Sequence, residues 1–187
     1  MQSEVLFIGG RSGVGKSSVA FELHARLSAL EIKHCVIEGD NLDLAFPHPW
    51  EHHLAEQNLA AVWKNYRSLG YRRLIYTNTV SVRFTYELAA AMGDDPKITA
   101  VLLTATDETA RARLIGRVQG SDLQDHLDRS NTAARALDIQ TPVWVHRRPT
   151  DNRSVIDIAA DLMPLTGWHT LADTVTTPQA ADVALRQ

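Results

Sequence analysis

The stretch GGRSGVGKSS, Gly9 to Ser18, constrains this chain more than any other. It follows the apolar run EVLFIG (Glu4–Gly9) and opens GKSSVAFELHARLSAL (Gly15–Leu30), where Val19, Leu23, Leu27 and Leu30 recur at helical spacing. Gly10, Gly15, Lys16 and Ser17 match G-x-x-x-x-G-K-[ST], a phosphate-binding loop, in the strand-to-helix context that pattern requires. A glycine-rich turn with an exposed lysine is the plainer alternative, and the context argues against it. The loop from Gly10 through Ser12, Gly13, Val14 and Gly15 lets N–H groups converge on phosphate oxygens with few Cβ atoms in the way. The helix beginning near Gly15 adds the positive end of its dipole. Lys16 supplies a point charge to β and γ phosphates, and the Ser17 hydroxyl, with Ser18 beside it, is placed to ligate Mg²⁺.

Downstream, short apolar runs alternate with helix-length amphipathic segments, the pattern of a parallel α/β sheet. Strands are expected at KHCVIEG (Lys33–Gly39), RRLIYTN (Arg72–Asn78), KITAVLLTA (Lys97–Ala105) and PVWVHR (Pro142–Arg147). Helices are expected over Glu51–Gly70, Val82–Met92, Asp107–Gln119 and Ser154–Leu165. The polar segment GSDLQDHLDRSN interrupts this pattern. Residues 169–187 form a Thr- and Ala-rich tail in which Thr177-Pro178 could start a short helix. There is no internal repeat, so 1–168 reads as one domain.

With 187 residues, a net charge of −3 and a pI near 6.2, the chain lacks the bulk positive charge that nucleic-acid binders exploit. Cys35 is the only cysteine, which suits a reducing compartment. No apolar stretch approaches the roughly 20 residues that span a bilayer, and no signal peptide is evident, so the expectation is cytoplasmic. An N-K-x-D base-reading motif and an LSGGQ-like motif are both missing, which disfavours small GTPases and transporter ATPases.

The second strand runs into IEGDNLDLAF, placing Asp40 at a carboxyl end beside the phosphate loop, where open α/β sheets collect ligands. An aspartate there can accept a hydroxyl proton or hold a Mg²⁺-bound water; Asp43 is a weaker competitor. The segment resembles the GDN stretch of adenylylsulfate kinases and occupies the slot of the catalytic aspartate in gluconate, shikimate and chloramphenicol kinases. That resemblance implies Asp40 as base or metal organiser. Thr77 and Asn78 stand where many P-loop enzymes end the third strand with a carboxylate. Arg83 is a candidate for an anionic acceptor or phosphate, equally readable as a surface arginine. His48, His52 and His53 lack regular ligand spacing and read as a solvated or substrate-facing helix start. Phe46 and Trp50 would line an acceptor pocket or pack beneath the loop.

RLIGR puts Arg113 and Arg117 on one helix face and resembles the start of the lid in adenylate-kinase-like enzymes. By that resemblance Arg113 stacks on adenine and Arg117 reaches the transferring phosphoryl group. Arg129, from the far side of a short lid at about 118–135, adds a phosphate contact, with Arg135 less certain. Thr150, Asp151 and Arg153 fall in the loop that resembles the adenine border of these kinases.

The resemblance spans about residues 4 to 166 and implies a three-layer P-loop NTP hydrolase fold. Its five-stranded parallel sheet would have order 2-3-1-4-5, helices on both faces and a short lid. The expected activity is Mg²⁺-dependent transfer of the ATP γ-phosphoryl group to an unknown small hydroxylated acceptor, by a monomer or homodimer. Lys16, Asp40 and Arg117 would be catalytic, with Ser17 and Asp40 at the metal. A nucleotide-sensing module without transfer is the alternative. A kinase of nucleic-acid ends is a third, against which the acidic balance argues.

Overall fold

The computed structural model describes residues 2–116 and 123–168. Five parallel strands form one sheet: β1 (Glu4–Gly9), β2 (Cys35–Glu38), β3 (Arg73–Thr77), β4 (Lys97–Thr104) and β5 (His146–Pro149), in the order β2-β3-β1-β4-β5. The expected fold and strand order are therefore present. Among the described residues six α-helices connect and cover them: α1 (Lys16–Ala29), α2 (Leu54–Ser68), α3 (Thr85–Met92), α4 (Asp107–Ile115), α5 (Leu123–Gln140) and α6 (Val155–Thr166). No helix among the described residues is long and apolar enough to cross a membrane.

The apolar run of β1 is explained by burial on both faces. Val5 and Phe7 point into a layer with Leu59 and Trp63 of α2, Leu88 and Met92 of α3 and Leu137 of α5. Leu6 and Ile8 point the other way, against Leu23 and Leu27 of α1 and Ile158 and Leu162 of α6. Val5 is in register with Leu74 on one side and Ile98 on the other, so every main-chain group of the central strand has a neighbour. Burial pushes the Cys35 thiol up to about 12, leaving it a small core side chain rather than a nucleophile.

Two expectations are corrected. PVWVHR is not the fifth strand; β5 begins at His146, and Pro142–Val145 is a turn. The apolar alternation misleads because only Val145 enters the core, whereas Val143 is fully exposed and the Trp144 ring leans on Tyr86. As an edge strand, β5 pairs with β4 through its main chain, so polar HRRP serves. The polar segment read as a break is helical from Leu123 onward. The buried side of α5 is Leu127, Ser130 and Leu137, with half-buried Ala134 between; small and polar residues in that stripe hide its helical period. A smaller difference is a 3-10 turn at Ser81–Arg83 ahead of α3.

Asp94, before β4, ties the amino edge of the sheet together. Its side chain is only 6% exposed. It accepts hydrogen bonds from Ser3 Oγ (2.5 Å) and Trp63 Nε1 (3.3 Å) and pairs with Arg67 Nη1 (2.5 Å). Asp94→Ala would strand three donors, so we expect a loss of about 2 to 3 kcal/mol in urea unfolding. Because Asp94 lies at the edge opposite the phosphate loop, nucleotide affinity of the folded fraction should be unchanged.

Candidate active site at the carboxyl edge of the sheet

The loop from Gly10 to Gly15 joins β1 to α1 in an unusual backbone conformation. Gly15, at the head of α1, has φ 98° with open space where a Cβ would be, so its glycine is required by conformation rather than by crowding. Gly13 is required by both: φ is 83°, and a Cβ would meet the Ala110 carbonyl oxygen at 2.7 Å. Every carbonyl from Gly10 to Val14 accepts from a side chain. Lys16 Nζ donates to Gly10 O (2.8 Å) and Arg11 O (3.4 Å), and Ser130 Oγ donates to Ser12 O (3.0 Å). Arg113 Nη1 reaches Gly13 O (3.5 Å) and Val14 O (3.3 Å). In a trans peptide the N–H points opposite the carbonyl, so holding the carbonyls turns the amides toward the other side. Among the described residues the amides of Arg11, Ser12, Gly13 and Gly15 have no protein acceptor. Such converging donors at a helix N-terminus fit a polyphosphate.

Arg113 is further fixed by Thr150, donating to its Oγ1 (2.9 Å) and carbonyl (2.8 Å). Thr150 is fully buried and continues the main-chain ladder through its N–H to Thr104 O (2.9 Å). Next to it, Asp151 Oδ1 accepts from Thr106 N (3.0 Å) and Oγ1 (2.8 Å) at the start of α4. Hydrogen bonds from Thr109 and Thr106 hold its carboxyl down to about 2. The folded pKa lies below the unfolded value near 3.9, so this tie is intact above about pH 4 and is lost as pH falls toward 2. Arg153, in the same loop, turns to α6 and pairs with Asp161 (2.7 Å).

On the other side of the loop, Asp40 sits in a 3-10 turn after β2. Its Oδ1 accepts from Asn78 Nδ2 (2.7 Å) and Thr79 N (3.4 Å). Asn78 Oδ1 accepts from Val80 N (2.9 Å), which fixes the amide with its donor toward Asp40. Thr79 in turn binds the phosphate loop: its carbonyl accepts from Gly10 N (3.1 Å) and its hydroxyl lies 3.5 Å from Lys16 Nζ. The absence of a carboxylate at the end of β3 thus has a structural counterpart, since Asn78 and Thr79 bridge Asp40 to Lys16.

A cavity of about 700 Å³ opens beyond Asp40. Asp43, His48, His53, Glu56, Tyr76 and Arg83 supply polar wall; Leu44, Leu54, Phe84 and Leu88 supply apolar wall. The Tyr76 hydroxyl lies under Gly39, where a Cβ would meet it at 2.2 Å. Burial first, then the charges of Asp40, Asp43 and Glu56, push its pKa up, so it stays a neutral phenol. Among the described residues no group of three or more His, Cys, Asp or Glu side chains is placed to hold a metal ion. Mg²⁺, which keeps waters and substrate phosphates as ligands, needs no such cage, and the residues present fit it.

Comparison with known proteins matches this layout. The adenylylsulphate kinase family model aligns with residues 2–58, which hold the phosphate loop and Asp40. No curated protein matches the sequence significantly. Among solved structures, the Deinococcus radiodurans tunicamycin resistance protein superposes with a TM-score of 0.58 at 21% identity, covering 89% of this chain and 96% of its own. A gluconokinase from Sinorhizobium meliloti 1021 gives 0.57 at 18%, covering 88% and 94%. The Mycobacterium tuberculosis APS kinase in complex with AMPPNP and APS gives 0.54 at 20%, covering 88% and 97%. The chain has the fold of the P-loop kinases.

Within that P-loop kinase fold, Gly10, Ser12, Gly13, Val14, Gly15, Lys16, Ser17 and Ser18 lie in one loop and helix start, with Arg113 against its back. Asp40 is joined to them through Thr79. Arg129 and Arg135 lie exposed on α5, and Arg135 lines a second cavity, of about 480 Å³, with Arg11 and Asp107. Phe46 is 97% exposed and neither lines the cavity beyond Asp40 nor packs beneath its loop. Arg117, the proposed lid up to residue 122 and the tail 169–187 lie outside the described residues.

Sequence reasoning missed Arg11, a variable position of the motif. It is 3% exposed and uses three donor atoms at once: Nε to Ser130 Oγ (2.9 Å), Nη1 to Asp107 and Nη2 to Asn131 Oδ1. It rivets the phosphate loop to α4 and α5. The signal was an arginine inside a glycine-rich loop, visible but unreadable without its distant partners. Arg11→Lys keeps charge but cannot reproduce three planar contacts. We expect roughly tenfold weaker ATP-analogue binding from loss of loop order, with a loss of about 1 to 2 kcal/mol in stability. Calorimetric titration and urea unfolding of the variant would check both.

Proposed function

We propose that the chain is an ATP-dependent kinase that transfers the γ-phosphoryl group to a hydroxyl of a small molecule, in the cytoplasm. The observation that carries this reading is the bridge from Lys16 through Thr79 to Asp40, which sets a phosphate cradle and a carboxylate on the two sides of one crevice. The acceptor cavity opens on the carboxylate side, where a phosphoryl acceptor would have to sit.

In the proposed reaction the acceptor oxygen forms a bond to the γ phosphorus as the bond to the β–γ bridging oxygen breaks. The electron pair leaves with ADP, and the acceptor proton passes to the Asp40 carboxylate. Oδ1 of Asp40 is held by Asn78 and Thr79, so the carboxylate is aimed before substrate arrives. Lys16 moves from the loop carbonyls to the β and γ phosphates, a change that needs only its flexible stem. Arg113, its guanidinium plane fixed by Thr150, forms a flat platform for adenine. Arg117 and Arg129 are assigned to the transferring phosphoryl group, and Arg153 to the border of the base site. Mg²⁺, held by Ser17 with Asp40 through water, would neutralise charge on the phosphates. The acceptor side excludes bulk water by filling the cavity, which favours transfer over hydrolysis.

The test is acceptor-dependent ADP release across sugars, gluconate, shikimate, adenylylsulfate, nucleosides, amino alcohols and antibiotic alcohols. At least one should raise ADP release above background. With that acceptor, Asp40→Asn should lower kcat by roughly 10²- to 10⁴-fold, the range for loss of a general base, while ATP affinity changes little. Lys16→Ala should instead abolish tight ATP binding. Full turnover by Asp40→Asn at saturating acceptor would remove Asp40 from the mechanism; tight ATP binding without transfer to any acceptor would remove the kinase reading.

A further inference from the structure

The acceptor cavity carries a charge pattern that narrows what can enter it. Its wall holds three carboxylates, Asp40, Asp43 and Glu56, against one guanidinium, Arg83. They come from different segments: the turn after β2, the loop following it, and the first turn of α2. Asp40 is already engaged by Asn78 and Thr79. Asp43 has no hydrogen bond or ion pair among the described residues. Glu56 has only a distant approach, His53 Nδ1 at 3.9 Å. Arg83 lies over the Phe84 ring, 5.2 Å from its centre. The rise in the Tyr76 pKa, in which burial leads and these same three carboxylates follow, shows their fields converging on one wall.

Sites for carboxylate, sulfate or phosphate esters are built from clustered arginines or converging amides. Among the described residues this cavity has one arginine, and the converging amides lie on the phosphate-loop side. A carboxylate-lined cleft draws cations and repels anions. Leu44, Leu54, Phe84 and Leu88 add apolar lining to the same cavity, and about 700 Å³ is room for a drug-sized body rather than a triose.

We propose that the acceptor is a cationic alcohol, placing its hydroxyl at Asp40, an amino or guanidino group between Asp43 and Glu56, and an apolar body against Leu44, Leu54, Phe84 and Leu88. The assignment rests on the kinase reading for which group is phosphorylated, and on the cavity alone for which molecule binds. An amino sugar, an aminocyclitol or an aryl amino diol has this chemistry; gluconate, shikimate and adenylylsulfate, all anions, do not.

The test uses the full chain saturated with AMPPNP and Mg²⁺, and matched ligands differing in one group. The ligands are glucosamine, a monoaminocyclitol and a phenyl amino diol, each as free amine, N-acetyl amide and N-succinyl acid. In calorimetric titration at least one amine should bind about tenfold or more tighter than its amide, and its acid weaker still. That preference should shrink as salt is raised from about 20 to 300 mM. Asp43→Asn and Glu56→Gln should each reduce the amine preference several-fold, leaving AMPPNP affinity unchanged. The proposal is overturned if no amine outbinds its amide and acid, or if the preference survives the double variant. Amine binding that obeys this pattern, with no amine-dependent ADP release once ATP replaces AMPPNP, supports the ligand class while removing the kinase reading. ADP release best supported by an acid form does the opposite.

Discussion

Holding the carbonyls of the phosphate loop is the constraint on which the site depends. Five successive carbonyls, Gly10 to Val14, are claimed by Lys16, Ser130 and Arg113. Those donors come from α1, α5 and α4, so three helices fix the back of one short loop. The amide dipoles then face the crevice without the loop having to reorganise, which is the condition for strong electrostatic stabilisation of a polyanion. A loop rich in glycine would otherwise lose much of its binding free energy to ordering. Glycine permits the conformation; the side chains around it select it.

Arg11 extends the same logic outward. Its guanidinium is nearly buried, so its charge must be compensated, and Asp107, Asn131 and Ser130 do this from two helices. The middle of α5 and the head of α4 thereby become part of the loop's foundation. Asn78 and Thr79 give the acceptor side an equivalent tie through Asp40.

How much of this was legible depends on the range of the interaction. The central strand, the glycine loop and the helix after it are local features, read from adjacent residues, and their strand order came through family resemblance. The last strand was misread because an edge strand pairs by main chain and need not be apolar, while Val143 and Trp144 were apolar without being core. The continuity of α5 was hidden for the opposite reason. Its buried stripe includes Ser130, kept small and polar because it serves Arg11 and the Ser12 carbonyl. Thr77-Asn78 stood out in the sequence as a missing carboxylate. Its meaning required Asp40, 38 residues away, to be in hydrogen-bond contact. Functional side chains acting across such separations leave composition but no period.

The two halves of the crevice also differ in sign, and this has a physical use. The loop side offers amides and Lys16; the cavity side offers Asp40, Asp43 and Glu56. In the proposed kinase a nucleoside triphosphate would be repelled from the acidic cavity and confined to the loop, which would keep a second nucleotide out of the acceptor site. The proposed positively charged acceptor would be drawn the other way and, once seated, would screen the carboxylates from the γ-phosphate. With an anionic acceptor, the same carboxylates would oppose both binding and the approach of two negatively charged reactants. Among the described residues one arginine, Arg83, is on that wall to counter them, and its guanidinium is placed over Phe84. In the proposed reaction the charge of the cavity would therefore separate donor from acceptor before any contact specific to either is made.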